Sequence, residues 1–137
     1  MAERRQVAKS RAALATTCAL TAVVALVMLA GGAAHLVAPQ SFFPLVPSFL
    51  PAGLVLGVTA VLQLGIGLAA LWPRSRAHAG LAFAVLCLCY LPLHLWDFWR
   101  PDPVFAPPLA ASVRVVFQLL FIAAGWSLWR RREPSGV

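Results

Sequence analysis

The chain has 137 residues, 61% of them hydrophobic and 11% charged, with a mean hydropathy of +0.85. A soluble domain carries roughly 45–50% apolar and about 25% charged residues, so these values exclude a water-soluble globule, and they exclude a disordered chain because disorder needs low hydrophobicity. The net charge of +7 sits at the ends of apolar runs rather than on a basic face, which argues against a nucleic-acid partner and for a membrane protein touching anionic lipid headgroups.

A helix crossing about 30 Å of hydrocarbon needs about 20 apolar residues. Four runs qualify, at 12–36, 52–72, 78–99 and 109–129. A basic segment, 1–11, precedes the first run with Arg4, Arg5, Lys9 and Arg11. Between the first and second, Pro39, Pro44, Pro47 and Pro51 forbid a continuous helix, while Phe42, Phe43 and Phe49 suit the headgroup boundary. A short turn, Pro73-Arg74-Ser75-Arg76, joins the second and third runs, and the segment 100–108, with four prolines, joins the third and fourth. Arg130, Arg131 and Arg132 open a basic tail, 130–137. The expected fold is all-α, a single integral-membrane domain built as a four-helix bundle across 1–137.

Orientation follows from the excess of Lys and Arg on the cytoplasmic side. Nine of these residues fall in the N-terminal segment, the 73–76 turn and the tail, against Arg100 alone in the two proline-rich loops. Both termini are therefore expected inside and the proline-rich loops outside. A basic start followed by an apolar stretch and Gly32-Ala33-Ala34 is also the build of a cleaved signal peptide. Signal cores run about 7–15 residues, shorter than this run, so an uncleaved first span is expected.

The cysteines, Cys18, Cys87 and Cys89, form no CxxC pair. Residues two apart on a helix point to opposite sides, so Cys87 and Cys89 read as small apolar side chains rather than a thiol redox centre. In the second run Gly53, Gly57, Ala60, Gly65 and Gly67 are expected to let helices approach closely where lipid supplies no hydrophobic drive.

Ionisable groups inside an apolar span are functional candidates by default. With a rise of about 1.5 Å per residue, His35, His94, Asp97, Arg114, Gln118 and Gln63 all fall in the outer half or near the midplane. Tyr90, His94 and Asp97 stand at i, i+4 and i+7, one stripe of a helix. Arg114 and Gln118 form an i, i+4 pair, as do Thr59 and Gln63. If these stripes face the bundle interior they converge on one outward-facing polar pocket, His35, Gln63, Tyr90, His94, Asp97, Arg114 and Gln118, beside a kink expected at Pro92. Asp97, near a helix C-terminus where the dipole disfavours an anion, needs a cationic partner. Arg114 is at the right depth and Arg100 is the rival. The structural readings stay open: Arg114 can snorkel to the headgroups, His35 can sit at the interface, and the glutamines can be interhelical glue. No metal-ligand spacing, phosphate loop or nucleophile elbow occurs.

These residues resemble the DoxX-like family of small bacterial four-span membrane proteins. Gly32-Ala33-Ala34-His35-Leu36 with Pro39, Phe43, Val46-Pro47 and Leu50-Pro51 is similar to that family's first exterior segment. The stretch from Thr59 through Gln63 and Gly67 to Pro73-Arg74-Ser75-Arg76 resembles its second span. Arg114 to Gln118, then Trp126, resembles its fourth. The chain departs from the pattern in carrying Gln63 where the family usually has Glu, and Ala60 where it has Gly; Gln63 forms hydrogen bonds but does not titrate. The resemblance implies a multi-pass protein of the bacterial inner membrane. It further implies an accessory, non-catalytic role in membrane redox chemistry, since related DoxD proteins are subunits of a thiosulfate:quinone oxidoreductase.

The leading expectation is thus a component with no resident cofactor that binds quinone or another amphipathic ligand in the polar pocket. Its partners would be the lipid bilayer, a membrane or soluble oxidoreductase and further copies of itself. The alternatives are a small carrier or channel-like oligomer moving a solute or protons past Tyr90, His94, Asp97 and Arg114, and a quinone-using enzyme with His94 and Asp97 as proton relay.

Overall fold

The computed structural model describes residues 1–131; Arg132 and the remainder of the basic tail lie outside the described residues. Four long helices follow in order, α1 (Ala2–Val37), α2 (Ala52–Leu71), α3 (Arg76–Trp96) and α4 (Leu109–Arg130), with a short 3-10 helix, Pro39–Leu45, between α1 and α2. No strand occurs among the described residues. Each long helix is apolar and long enough to cross a membrane. Leu26, Val61, Leu68, Leu88 and Leu120 all point away from the bundle, so apolar side chains cover the outside as well as the inside. That is the build of a multi-pass membrane protein.

Prolines set most of the boundaries. Ala38 and Trp72 leave helical geometry, at φ −136°, ψ 56° and φ −90°, ψ 122°, because the residue before a proline is pushed out of the α region. Pro51 and Pro108 precede the first turns of α2 and α4. Ser75 Oγ donates to the Ala69 carbonyl at 2.8 Å, which also accepts from the Trp72 N–H at the α2 C-terminus.

Two helices have limits that differ from those of the apolar runs they contain. The helix containing the first span starts at Ala2, ten residues before the apolar run: residues 2–11 are mostly Ala, Glu, Arg, Gln and Lys, good helix formers, with Val7 and Ser10 between them and no Gly or Pro to stop the turn. At 36 residues α1 is about 54 Å long. Its first fifteen residues are exposed and project past the α2–α3 turn, since Ala70 near the end of α2 shares a core with Val24 and Ala25. The third span ends at Trp96 rather than Trp99, with Asp97 as its C-cap. Within it α3 continues through Pro92.

The helices pack most closely as two hairpins, α1 with α2 and α3 with α4, and meet each other more sparsely. Glycines pin each hairpin. A β-carbon at Gly67 would stand 2.7 Å from Leu29 Cγ, and one at Gly125 would stand 2.6 Å from the Gly80 carbonyl oxygen. The expectation for Gly53, Gly57 and Gly65 is corrected, because a β-carbon at any of them would meet nothing within 4 Å; these three lie on the outer face of α2. At the end where α2 turns into α3, Val24, Ala25, Ala70, Ala79, Phe83 and Leu128 close the interior as an apolar core.

Candidate functional site

Toward the opposite end the two hairpins part around a cavity of about 290 Å³. From α1 it is lined by Met28, Gly31 and His35, and from α2 by Thr59 and Gln63. Cys87, Tyr90 and His94 of α3 and Arg114, Gln118 and Phe121 of α4 form the facing wall. The helix periods explain the convergence. Tyr90 and His94 are one turn apart, as are Arg114 and Gln118, and Gln63 follows Thr59 by one turn. Six of the seven residues expected at a polar pocket therefore line one cavity.

The seventh, Asp97, lies just behind the lining and is almost fully buried, 1% exposed. Its Oδ2 accepts from Arg114 Nη1 at 2.9 Å, and its Oδ1 accepts from the Val104 backbone N–H at 3.1 Å. Arg100 Nη1 stands 3.7 Å from Oδ1, so both candidate partners engage the carboxylate, Arg114 the more closely. The Arg114 guanidinium also lies over the Phe105 ring, 4.3 Å from the centroid. This is a planar cation on an aromatic face, with one edge committed to a carboxylate.

The other polar groups divide into satisfied and unsatisfied ones. Gln118 Nε2 donates to the Cys87 carbonyl across α3 and α4. That carbonyl lies beside Leu88, whose own helical acceptor role is lost because Pro92 has no N–H. His35 presents its ring edge-on to Phe42, with centroids 4.3 Å apart. Yet His35 Nδ1, Gln63 Oε1, Tyr90 Oη and His94 Nδ1 are buried without a well-formed hydrogen bond, the nearest polar approaches being those of Gln63 to His35 and of Thr59 and Gln63 to Tyr90. Buried polar atoms are nearly always paired, and one left unpaired costs about 1–3 kcal/mol. Four around one cavity is a concentration of unmet donor and acceptor capacity on otherwise apolar walls.

Several contributors escape a reading of the sequence. Gly31 makes room for the glutamine, since a β-carbon there would stand 3.0 Å from Gln63 Oε1. Phe42 comes from the short 3-10 helix and Phe105 from the 97–108 loop, segments whose path no periodicity describes. Cys87, read as a small apolar residue, lines the cavity, while Cys18 and Cys89 face outward; their i, i+2 spacing does place Cys87 and Cys89 on opposite sides. No group of His, Cys, Asp and Glu suited to a metal occurs among the described residues.

A family model described as a domain of unknown function, DUF8561, matches residues 23–129. The chain belongs to that family, whose matched region spans every residue of the cavity and leaves out the projecting start of α1. Searches of curated proteins and of solved structures return no match.

Proposed function

We propose that the protein is a multi-pass component of the bacterial inner membrane that binds the ring of a small amphipathic ligand, a quinone first among candidates, in the cavity between its hairpins. The observation that carries this reading is the set of four unpaired polar atoms around an apolar-walled cavity. Sites for small ligands are mostly apolar concavities with a few convergent polar groups. A ring carbonyl would accept from the Tyr90 hydroxyl, from an imidazole N–H or from Arg114, and a ring hydroxyl would donate to Gln63 Oε1. A cavity of about 290 Å³ suits a single substituted ring, with any tail running into lipid.

Both termini lie in the cytoplasm in this reading, because Arg4, Arg5, Lys9, Arg11, Arg74, Arg76, Arg130 and Arg131 gather at one end of the bundle. The proline-rich loops and the cavity then belong to the outer leaflet. The role is that of an accessory subunit for an oxidoreductase, in keeping with the resemblance to DoxX-like proteins. Two features favour binding over the alternatives. The apolar core at the cytoplasmic end offers no polar continuation for a conducted solute or proton. Asp97 is committed to Arg114 and to the Val104 N–H, which leaves it poorly placed to relay protons for His94.

The test is an equilibrium titration of the purified chain in lipid nanodiscs with a short-chain quinone, followed by tryptophan fluorescence. Saturable quenching that weakens at least tenfold in Tyr90→Phe and Gln63→Leu supports the reading. Quenching that rises linearly, as for partition into lipid, and is the same in both variants refutes it.

A further inference from the structure

The cavity lies on the seam between two bodies. Each hairpin is pinned internally, by Gly67 on Leu29 in one and by Gly80 on Gly125 in the other. The apolar core holds the hairpins together at one end. At the other end the contact between them passes through two loops, and it is there that a polar link crosses the seam: Arg100 Nη1 donates to the Pro44 carbonyl at 3.2 Å. The same nitrogen faces Asp97 Oδ1 at 3.7 Å, and the Arg100 guanidinium lies 5.2 Å from the centre of the Trp96 ring. Asp97 in turn holds Arg114 of the cavity wall and, through the Val104 N–H, the 97–108 loop. A chain of contacts thus runs from the cavity wall, through a buried carboxylate, to a strap laid across onto the opposite hairpin.

We infer that the 97–108 loop is a latch on the ligand cavity, closed by Arg100 on the Pro44 carbonyl and released by parting of the two hairpins at the loop end. The inference rests on the ligand-binding reading of the cavity, whose path of admission it specifies. The hinge is the apolar core around Phe83 and Leu128, where Gly80 and Gly125 pack against these side chains, and the moving parts are the two hairpins, the geometry of a hinge closure. The Arg100 contact is suited to opening because it is a lone, partly exposed hydrogen bond to a backbone carbonyl. The Asp97–Arg114 bond, by contrast, is buried and keeps the loop attached to its own hairpin.

Cys87 reports on the opening without any ligand, since it is buried, 3% exposed, and lines the cavity. In a Cys18→Ser/Cys89→Ser background reconstituted in nanodiscs, the rate of Cys87 alkylation by a small neutral maleimide measures how often the cavity opens. Loss of one charge-assisted hydrogen bond shifts such an opening by about tenfold. Arg100→Gln is expected to raise the rate by that factor with an unchanged unfolding temperature, while Arg74→Ala, at the packed end, leaves it unaltered. An Arg100→Gln chain that stays folded and labels at the parent rate overturns the latch.

A second variant decides the matter even if Arg100→Gln fails to fold. In Pro44→Cys/Arg100→Cys, labelling of Cys87 is expected to be fast before the two surface thiols are bridged by an impermeant bifunctional reagent. After bridging it should fall below the parent rate. Equal rates before and after bridging overturn the latch. Failure of the quinone titration with latch-dependent labelling would remove the ligand and leave the gate; the converse would remove the gate and leave the ligand.

Discussion

Where α2 turns into α3, Val24, Ala70, Phe83 and Leu128 meet with side chains that need nothing from one another but contact. Toward the proline-rich loops, seven polar side chains surround a cavity and four of their buried atoms go without a well-formed hydrogen bond. The helices are the same four in both places. What differs is which residues face inward, and the contrast shows where the fold is held and where it is left unsatisfied. In a bilayer apolar burial gives little net drive for helix association, so close packing has to supply it, and the glycine contacts at Gly67, Gly80 and Gly125 do so. The packed end has one such atom, Arg76 Nε, against four around the cavity; that concentration costs stability, the mark of a region shaped for something other than folding.

The contrast can be broken most forcefully at Asp97. Asp97→Ala leaves Arg114 half-buried without its acceptor and frees the Val104 N–H. Removing one partner of such a pair costs about 3 kcal/mol, read as a lower unfolding temperature in nanodiscs. Asp97→Ala/Arg114→Met, which removes both charges, is expected to recover most of that loss.

Next comes the packed hairpin. Gly125→Ala drives a β-carbon into the Gly80 carbonyl, where the obstruction is backbone, and is expected to cost about 2 kcal/mol. Gly57→Ala, on the open face of α2, should instead stabilise the helix by about 0.5–1 kcal/mol. Opposite signs for these two alanines are the sharpest test of which glycines the monomer uses.

Two glutamines give smaller and unequal effects. Gln118→Leu removes a satisfied bond to the Cys87 carbonyl and should cost about 0.6–1.7 kcal/mol. Gln63→Leu removes an unpaired acceptor, Oε1, together with only loose approaches to His35 and Tyr90, so it should cost less than the Gln118 change, about 0.5 kcal/mol. A large loss of stability at Gln63 would mean that the side chain is structural after all.

Much of this arrangement can be read from the sequence because it depends on helical period and on proline. Pro39, Pro51, Pro73 and Pro108 bracket the spans. The stripe of Tyr90, His94 and Asp97 and the pair Arg114 and Gln118 fix which faces of α3 and α4 carry polar groups. Asp97, unfavourable at a helix C-terminus, demands a cation and thereby points to Arg114. Other features depend on relations between helices that periodicity does not encode. Gly53 and Gly57 have the spacing of a helix contact but lie on the outer face of α2, while Gly125, with no glycine four residues away, makes the tightest contact. The stacking of Phe105 on Arg114 and the reach of Arg100 to Pro44 belong to loops, whose course is set by the helices they join. The helical start of α1 is a case of another kind: the charged segment 1–11 has no apolar run to mark it, yet it is helical from Ala2 because Ala, Glu, Arg, Gln and Lys dominate it.

The claim on which the account depends is that the cavity receives a ligand at its unpaired polar atoms. It is tested most directly by protection of Cys87. In the Cys18→Ser/Cys89→Ser chain, alkylation of Cys87 is followed with increasing short-chain quinone, alongside the same chain carrying Gln63→Leu. The account predicts that the rate falls to a plateau in the first and stays unchanged in the second. Equal labelling with and without quinone in the first chain, or equal protection in both, would contradict it.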